Sequence, residues 1–278
     1  MSRFTAPIDA GQRVALALEY EGSAFFGWQS QRDPAVATLQ ETLEAALSKV
    51  ADAPVTTVCA GRTDAGVHAS NQIVHFDSPV ARLEKAFVFG GNTHLPKSLS
   101  IKWARPVAAD FHARFSATAR RYRYVILNRP LRSAHFHHLA TQVAQPLDAA
   151  LMRREAQSLL GERDFSSFRG AGCQSNTPMR NVHCIEVLRR GDWVVVDIQA
   201  NAFLLHMVRN IVGTLIAVGS GRQPEGWTAQ VMEARDRTRA AMTAPAAGLY
   251  LVDVHYPPHF GLPRDPLGPA FIAPLLPE

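Results

Sequence analysis

Gly61-Arg62-Thr63-Asp64-Ala65-Gly66-Val67-His68-Ala69 places one cation and one anion two residues apart in a loop that carries two glycines. A carboxylate without a second acid beside it suits a nucleophile or a base, whereas glycoside hydrolysis normally needs two carboxylates at one site. Asp64 serves in that way only while it is ionised, which a nearby positive charge favours. Arg209 offers one, because it is the single formal charge in the sixteen-residue stretch Phe203 to Val218. A guanidinium buried there without a partner would cost on the order of several kcal/mol. Asp64 is the candidate partner, and the pairing would join the two halves of the chain. The alternative is an Arg209 on the wet face of an amphipathic helix.

Arg121-Tyr122-Arg123-Tyr124-Val125 alternates strictly, so in a strand the tyrosines share one face and the arginines the other. The two tyrosines suit either a core or a base-stacking platform. His135, His137 and His138 cluster, but no Cys, Asp or Glu stands near them at metal-ligand spacing. Gly219-Ser220-Gly221 follows an apolar stretch instead of opening a helix, and the chain holds no Gly-x-x-x-x-Gly-Lys-Ser/Thr run, which disfavours a nucleotide-phosphate cradle. Cys59, Cys173 and Cys184 are too scattered for a disulfide framework or a Cys-x-x-Cys metal site.

These groups need elements to hold them. Val14, Leu16, Leu18 and Tyr20 alternate as a strand with one buried face does. Thr38-Leu39-Gln40-Glu41 fits a capping box, and Leu39, Leu43, Ala46, Leu47 and Val50 follow at helical spacing. Val55 to Cys59 and Ile73 to Phe76 are short strands flanking the Asp64 loop. A helix is expected from about Leu147 to Leu160, stopped by Gly161, and another over Phe203 to Val218. Val182 to Leu188 and Trp193 to Ile198 form a hairpin, and Leu249 to Tyr256 is a last strand. Pro257 to Glu278 carries seven of the 18 prolines and is expected as an extended tail or packed arm. The class is α+β, with two sheet-and-helix domains over residues 1–107 and 108–257 and a proline-rich tail over 258–278.

Composition narrows the partners. The 278 residues are 47% hydrophobic and 19% charged, which excludes a disordered, charge-heavy chain. No uncharged run reaches the roughly 20 residues of a membrane helix. Met1 to Arg13 lacks an apolar core for a secretory signal, so a cytoplasmic protein without membrane attachment is expected. Arg105 to Arg132 holds seven arginines against Asp110 alone, while the whole chain nets only +5. Such a block suits a polyanion, with or without catalysis.

In the same order along the chain, several segments resemble the tRNA pseudouridine synthase A family. They are Gly27-Trp28-Gln29, Gly61 to Ala69, Gln72 to Phe76, Phe111-His112-Ala113-Arg114, Arg121 to Tyr124, Asp164 to Phe168, Asn201 to Asn210 and Gly248-Leu249. The resemblance runs from about Val14 to Tyr256. Glu21 stands where the family usually has Asp, and Phe25-Phe26 replace tyrosines.

This resemblance implies the pseudouridine synthase fold: two related domains of mainly antiparallel sheet, helices on one face, and an active-site cleft between them. It implies an isomerase that turns uridine into pseudouridine at positions 38, 39 and 40 of the tRNA anticodon stem-loop, without cofactor or metal. Asp64 would be the catalytic residue, as nucleophile or base, and Tyr122 would stack on the target base. Arg62 would replace the extruded nucleotide, Arg209 would pair with Asp64, and Leu249 would wall the pocket. The family also implies a homodimer.

Overall fold

Residues 4–31 and 36–275 are described by the computed structural model, which divides the chain into two units. The first comprises Met1–Thr118 with Leu251–Ala270, the second Ala119–Tyr250 with Phe271–Glu278. The first three residues and the last three of the Pro257–Glu278 stretch lie outside the described residues.

In the first unit the elements are β1 (Pro7–Ile8), β2 (Arg13–Tyr20), α1 (Leu39–Ala51), β3 (Val58–Cys59), β4 (His68–Asp77), β5 (Arg82–Leu83), α2 (Gly91–His94) and β6 (Leu99–Pro106). β2 lies between β6 and β4 and is antiparallel to both. The expected single buried face of β2 is in fact two, because Ala15 and Ala17 are as inaccessible as Val14 and Leu16. Thr38 caps α1, accepting from the Glu41 N–H at 3.4 Å and donating its hydroxyl to the Glu41 carboxylate at 2.6 Å. Leu39, Leu43, Ala46 and Leu47 are buried as their spacing predicts, and Val50 only partly.

The strands around the Asp64 loop differ from expectation. Val55 to Cys59 shrinks to the two residues of β3, whereas Ile73 to Phe76 lengthens to the ten of β4. β4 is buried at nine of ten positions, among them His68, Ser70, Asn71, Gln72 and His75. Polar residues hide such a strand from hydrophobic periodicity, yet they are tolerated inside when hydrogen-bonded. Asn71 donates to Asp253 at 3.4 Å, and His75 Nδ1 accepts the Ala113 N–H at 3.1 Å.

The second unit contains β7 (Ala119–Asn128), β8 (Thr141–Val143), α3 (Ala149–Ala156), β9 (Gly161–Asp164), β10 (Met179–Arg190), β11 (Trp193–Ala200), α4 (Met207–Gly219) and α5 (Trp227–Ala234). The last strand, β12 (Leu249–His255), begins in this unit and ends in the first. β7, β11, β10 and β9 pair antiparallel in that order, and β8 adds to β7 in parallel. The β10–β11 hairpin closes where Arg190 pairs with Trp193, with Gly191 at φ 55° in the turn.

α4 starts at Met207, not Phe203, because His206 sits at φ 59° and breaks helical propagation. α3 is shorter than the expected helix, opening on an Asp148 cap and tightening into a 3₁₀ turn over Gln157–Leu159. The proline-rich stretch packs as an arm. Within the first unit Phe260 meets Phe111 at 5.1 Å and Asp265 meets Lys102 at 2.8 Å. Within the second, Phe271 packs on Phe136 and Trp193. The arm is not wholly irregular, since Pro258–Phe260 and Ala270–Leu275 are 3₁₀ turns.

Candidate functional site

The Asp64 loop is fastened from below by side chains that periodicity does not select. Gln72, pointing from β4, donates to the Gly61 carbonyl at 2.6 Å and lies 3.4 Å from the Tyr20 hydroxyl. That hydroxyl in turn meets Thr63 Oγ1 at 2.9 Å in a fully buried contact. The Trp28 N–H donates to the Thr63 carbonyl at 2.9 Å, and the Val67 N–H closes a turn onto the Asp64 carbonyl at 3.1 Å.

Two glycines let neighbouring backbone come this close. At Gly27, with φ +90°, a Cβ would stand 2.9 Å from the Thr63 carbonyl oxygen and 3.3 Å from the Asp64 carbonyl carbon. At Gly22 a Cβ would fall 2.0 Å from the Val67 carbonyl oxygen. The Gly22 N–H donates to His68 Nδ1 at 2.9 Å, so that buried imidazole presents a lone pair there. Glu21, the departure from the family pattern, caps the turn by accepting from the Ser23 N–H at 3.0 Å. In this cradle Thr63 is buried, Asp64 half-buried and Arg62 exposed. Cys59, below the loop, is buried, which pushes its thiol up to about 12 and leaves it unreactive near neutrality.

The other candidates belong to the second unit. Tyr122 on β7 is 8% exposed and meets the edge of Phe203 at 5.1 Å and 85°. Tyr124 is a core residue: its hydroxyl contacts Thr141 Oγ1 at 2.5 Å and donates to the Pro245 carbonyl at 2.7 Å. Burial raises its phenol above the ordinary range, so it stays protonated. Arg209 on α4 is half-buried, and its Nε donates to the Ala244 carbonyl at 2.8 Å while the Ala244 N–H returns to the Arg209 carbonyl at 3.1 Å. Tyr124 and Arg209 thus tie down both ends of Ala244–Pro245, just ahead of the 3₁₀ turn Ala246–Gly248 that delivers Leu249, itself 6% exposed. Gly248 completes the fit, since a Cβ there would lie 2.7 Å from the Val125 carbonyl oxygen.

The basic block is less free than its sequence suggests. Arg121 and Arg123 do share a face, but both close on buried Asp197 of β11, at 2.6 and 2.9 Å. Arg105 meets Glu84, which is fully buried, at 2.7 Å. Arg114 and Arg62 remain exposed.

His135, His137 and His138 are exposed, with the last two rings 3.7 Å apart. Among the described residues no group of three His, Cys, Asp or Glu could hold a metal ion. A hollow of about 300 Å³ lined by Arg132, Phe136, His137, Thr141 and Pro245 opens in the second unit, and none of Tyr122, Arg209 or Leu249 lines it. No helix among the described residues is long and apolar enough to cross a membrane.

A family model described as tRNA pseudouridine synthase matches residues 16–116 and 156–257, which include the Asp64 loop, Arg209 and Leu249 but not Tyr122. The tRNA pseudouridine synthase A of Klebsiella pneumoniae (strain 342) is 57% identical over 261 residues, 94% of this chain and 96% of that protein. The protein of the same name from Shewanella amazonensis is 56% identical over 260 residues, 94% and 99% of the two chains. That from Histophilus somni (strain 129Pt) is 55% identical over 260 residues, 94% and 96%.

Proposed function

This chain belongs to the tRNA pseudouridine synthase family, and we propose that its Asp64 loop is the site at which uridine is isomerised, at positions 38, 39 and 40 of the anticodon stem-loop. It is an isomerase acting on tRNA. The reaction breaks the bond between the ribose C1′ and N1, turns the uracil, and joins C1′ to C5. The C5 proton leaves and N1 gains one, so the change is redox-neutral and needs no electron acceptor.

The cradle under Asp64 is the observation that carries the reading. A carboxylate must meet its target atom within tenths of an ångström, and a loop held by Gln72, Tyr20 and the Trp28 backbone supplies that definition. A base inside a helix cannot reach Asp64, so it must first be flipped, at a cost of a few kcal/mol. Exposed Arg62, two residues from Asp64, takes the vacated space in the stem. Tyr122 stacks on the flipped base and Leu249 walls its pocket. Arg209 is the partner proposed for Asp64.

The same reading makes the protein a cytoplasmic homodimer, which sedimentation of the purified protein tests. Mapping by carbodiimide labelling of a uridine-containing transcript tests the substrate assignment: labelled sites are expected at positions 38 to 40. Labelling confined to another arm of the tRNA would refute it.

A further inference from the structure

Phe115 is 75% exposed, yet the backbone of the turn that carries it is hydrogen-bonded at four successive N–H groups. His112 Nδ1 accepts the N–H groups of both Arg114 and Phe115, at 3.2 and 3.1 Å. The Ala113 N–H donates to His75 Nδ1 at 3.1 Å, and the Ser116 N–H donates to the His112 carbonyl at 2.9 Å. Four successive backbone donors are therefore fixed, two of them by one imidazole. Tyr256 anchors the turn from behind, donating to the Ala113 carbonyl at 2.6 Å.

What this rigid turn displays is a stack. The Phe115 ring lies on His112 with centroids 4.3 Å apart and planes at 26°, and His112 in turn meets His75 at 4.8 Å. The Arg114 guanidinium stands 5.5 Å from the Phe115 centroid. Desolvation lowers the pKa of His112, and its Nδ1 is occupied as an acceptor, so the supporting ring is neutral near pH 7. His75, which holds the Ala113 N–H, is paired in register with Val58 of β3, and β3 runs through Cys59 into the Asp64 loop, so the turn stands beside the strand that leads into that loop within one unit.

We propose that Phe115, backed by His112 and flanked by Arg114, is a platform that receives an unstacked nucleobase of the tRNA anticodon stem-loop next to the Asp64 loop. This rests on the function proposed above. Unpaired RNA bases are taken up on aromatic rings and guanidinium planes, with positive charge tracking the backbone. A lone ring between Arg114 and Ser116 is ill suited to a protein partner, which needs roughly 800 Å² of matched surface per side. A base needs one flat ring and a neighbouring cation, and both are here.

The test uses full-length Asp64→Asn protein, so that substrate is bound without turnover, and anticodon stem-loops carrying 2-aminopurine at each loop position in turn. At one position binding is expected to quench the fluorescence, and the quench is lost in Asp64→Asn/Phe115→Ala and restored by Asp64→Asn/Phe115→Trp. The dissociation constant should rise between about fivefold and a hundredfold on Phe115→Ala. Quenching at no position that depends on Phe115, or a Kd within about twofold of the parent, would overturn the platform. So would a change in sedimentation caused by Phe115→Ala, which would make the ring a subunit contact. A wild-type enzyme that forms pseudouridine but fails these tests sinks the platform alone, whereas a wild type that forms none sinks the function on which it rests.

Discussion

Alanine at Gly27 measures how closely the Asp64 loop is gripped. Gly27 and Gly11 share a positive φ, +90° and +80°, so alanine at either carries a left-handed penalty of about 1 kcal/mol. They differ in what the new methyl meets. Nothing lies within 4 Å of it at Gly11, whereas at Gly27 the Thr63 carbonyl oxygen is 2.9 Å away and the Ala65 nitrogen 3.2 Å. Relief of that overlap must move the backbone on both sides of Asp64 by a few tenths of an ångström.

Misplacement by about 1 Å costs roughly a hundredfold in rate, so this smaller shift should cost about tenfold. The strain adds ~1–2 kcal/mol beyond the Gly11 value, a few degrees in Tm. Thermal unfolding and single-turnover tritium release from 5-tritiated uridine in tRNA read the two quantities. Gly11→Ala should lose about 1 kcal/mol with an unchanged rate. If the two alanine variants match in both Tm and rate, the cradle does not hold Asp64 as described.

Three further outcomes follow from the geometry. His75 is held neutral, its pKa lowered to about 4 chiefly by burial, so as pH falls the unfolded chain takes the proton first. Stability is therefore insensitive to this group above pH 6.5, falls by about 2 kcal/mol between 6.5 and 4, and His75→Gln should flatten that slope in urea titrations. Tyr124→Phe leaves the Pro245 carbonyl without its donor and should cost ~1–2 kcal/mol of stability, read as a lower denaturant midpoint, with the 3₁₀ turn before Leu249 loosened in hydrogen exchange. Arg123→Gln strips one of two cations from buried Asp197 and should cost about 2 kcal/mol, yet leave the salt dependence of tRNA binding unchanged, because that guanidinium is not offered to phosphate.

The parts visible in the sequence are those where a local rule acts alone. The Thr38 cap, the α1 stripe and the Gly191 hairpin each follow from a few neighbouring residues, and each forms where its spacing predicts. β4 is longer than its apolar run implies because its polar residues are satisfied by distant partners, Gln72 by Gly61 and His75 by Ala113. α4 starts later than its apolar run implies because nothing in Phe203 to His206 announces the left-handed conformation that His206 adopts. Charge counting found the basic block but not that Glu84 and Asp197 neutralise part of it, since both carboxylates lie far away in sequence. Of the site, Asp64 and Arg62 stood out by type and spacing. Gly27 and Gln72 are visible only as members of segments that resemble the family and Tyr20 only as the end of a strand, and their joint role emerges from the fold.

The most direct measurement is pseudouridine formation on an unmodified tRNA transcript by wild-type protein and by Asp64→Asn, with tRNA affinity and Tm recorded for both. The account predicts modified uridine with the wild type and none with Asp64→Asn, which should still fold and bind tRNA. Turnover by Asp64→Asn at the wild-type rate would contradict it.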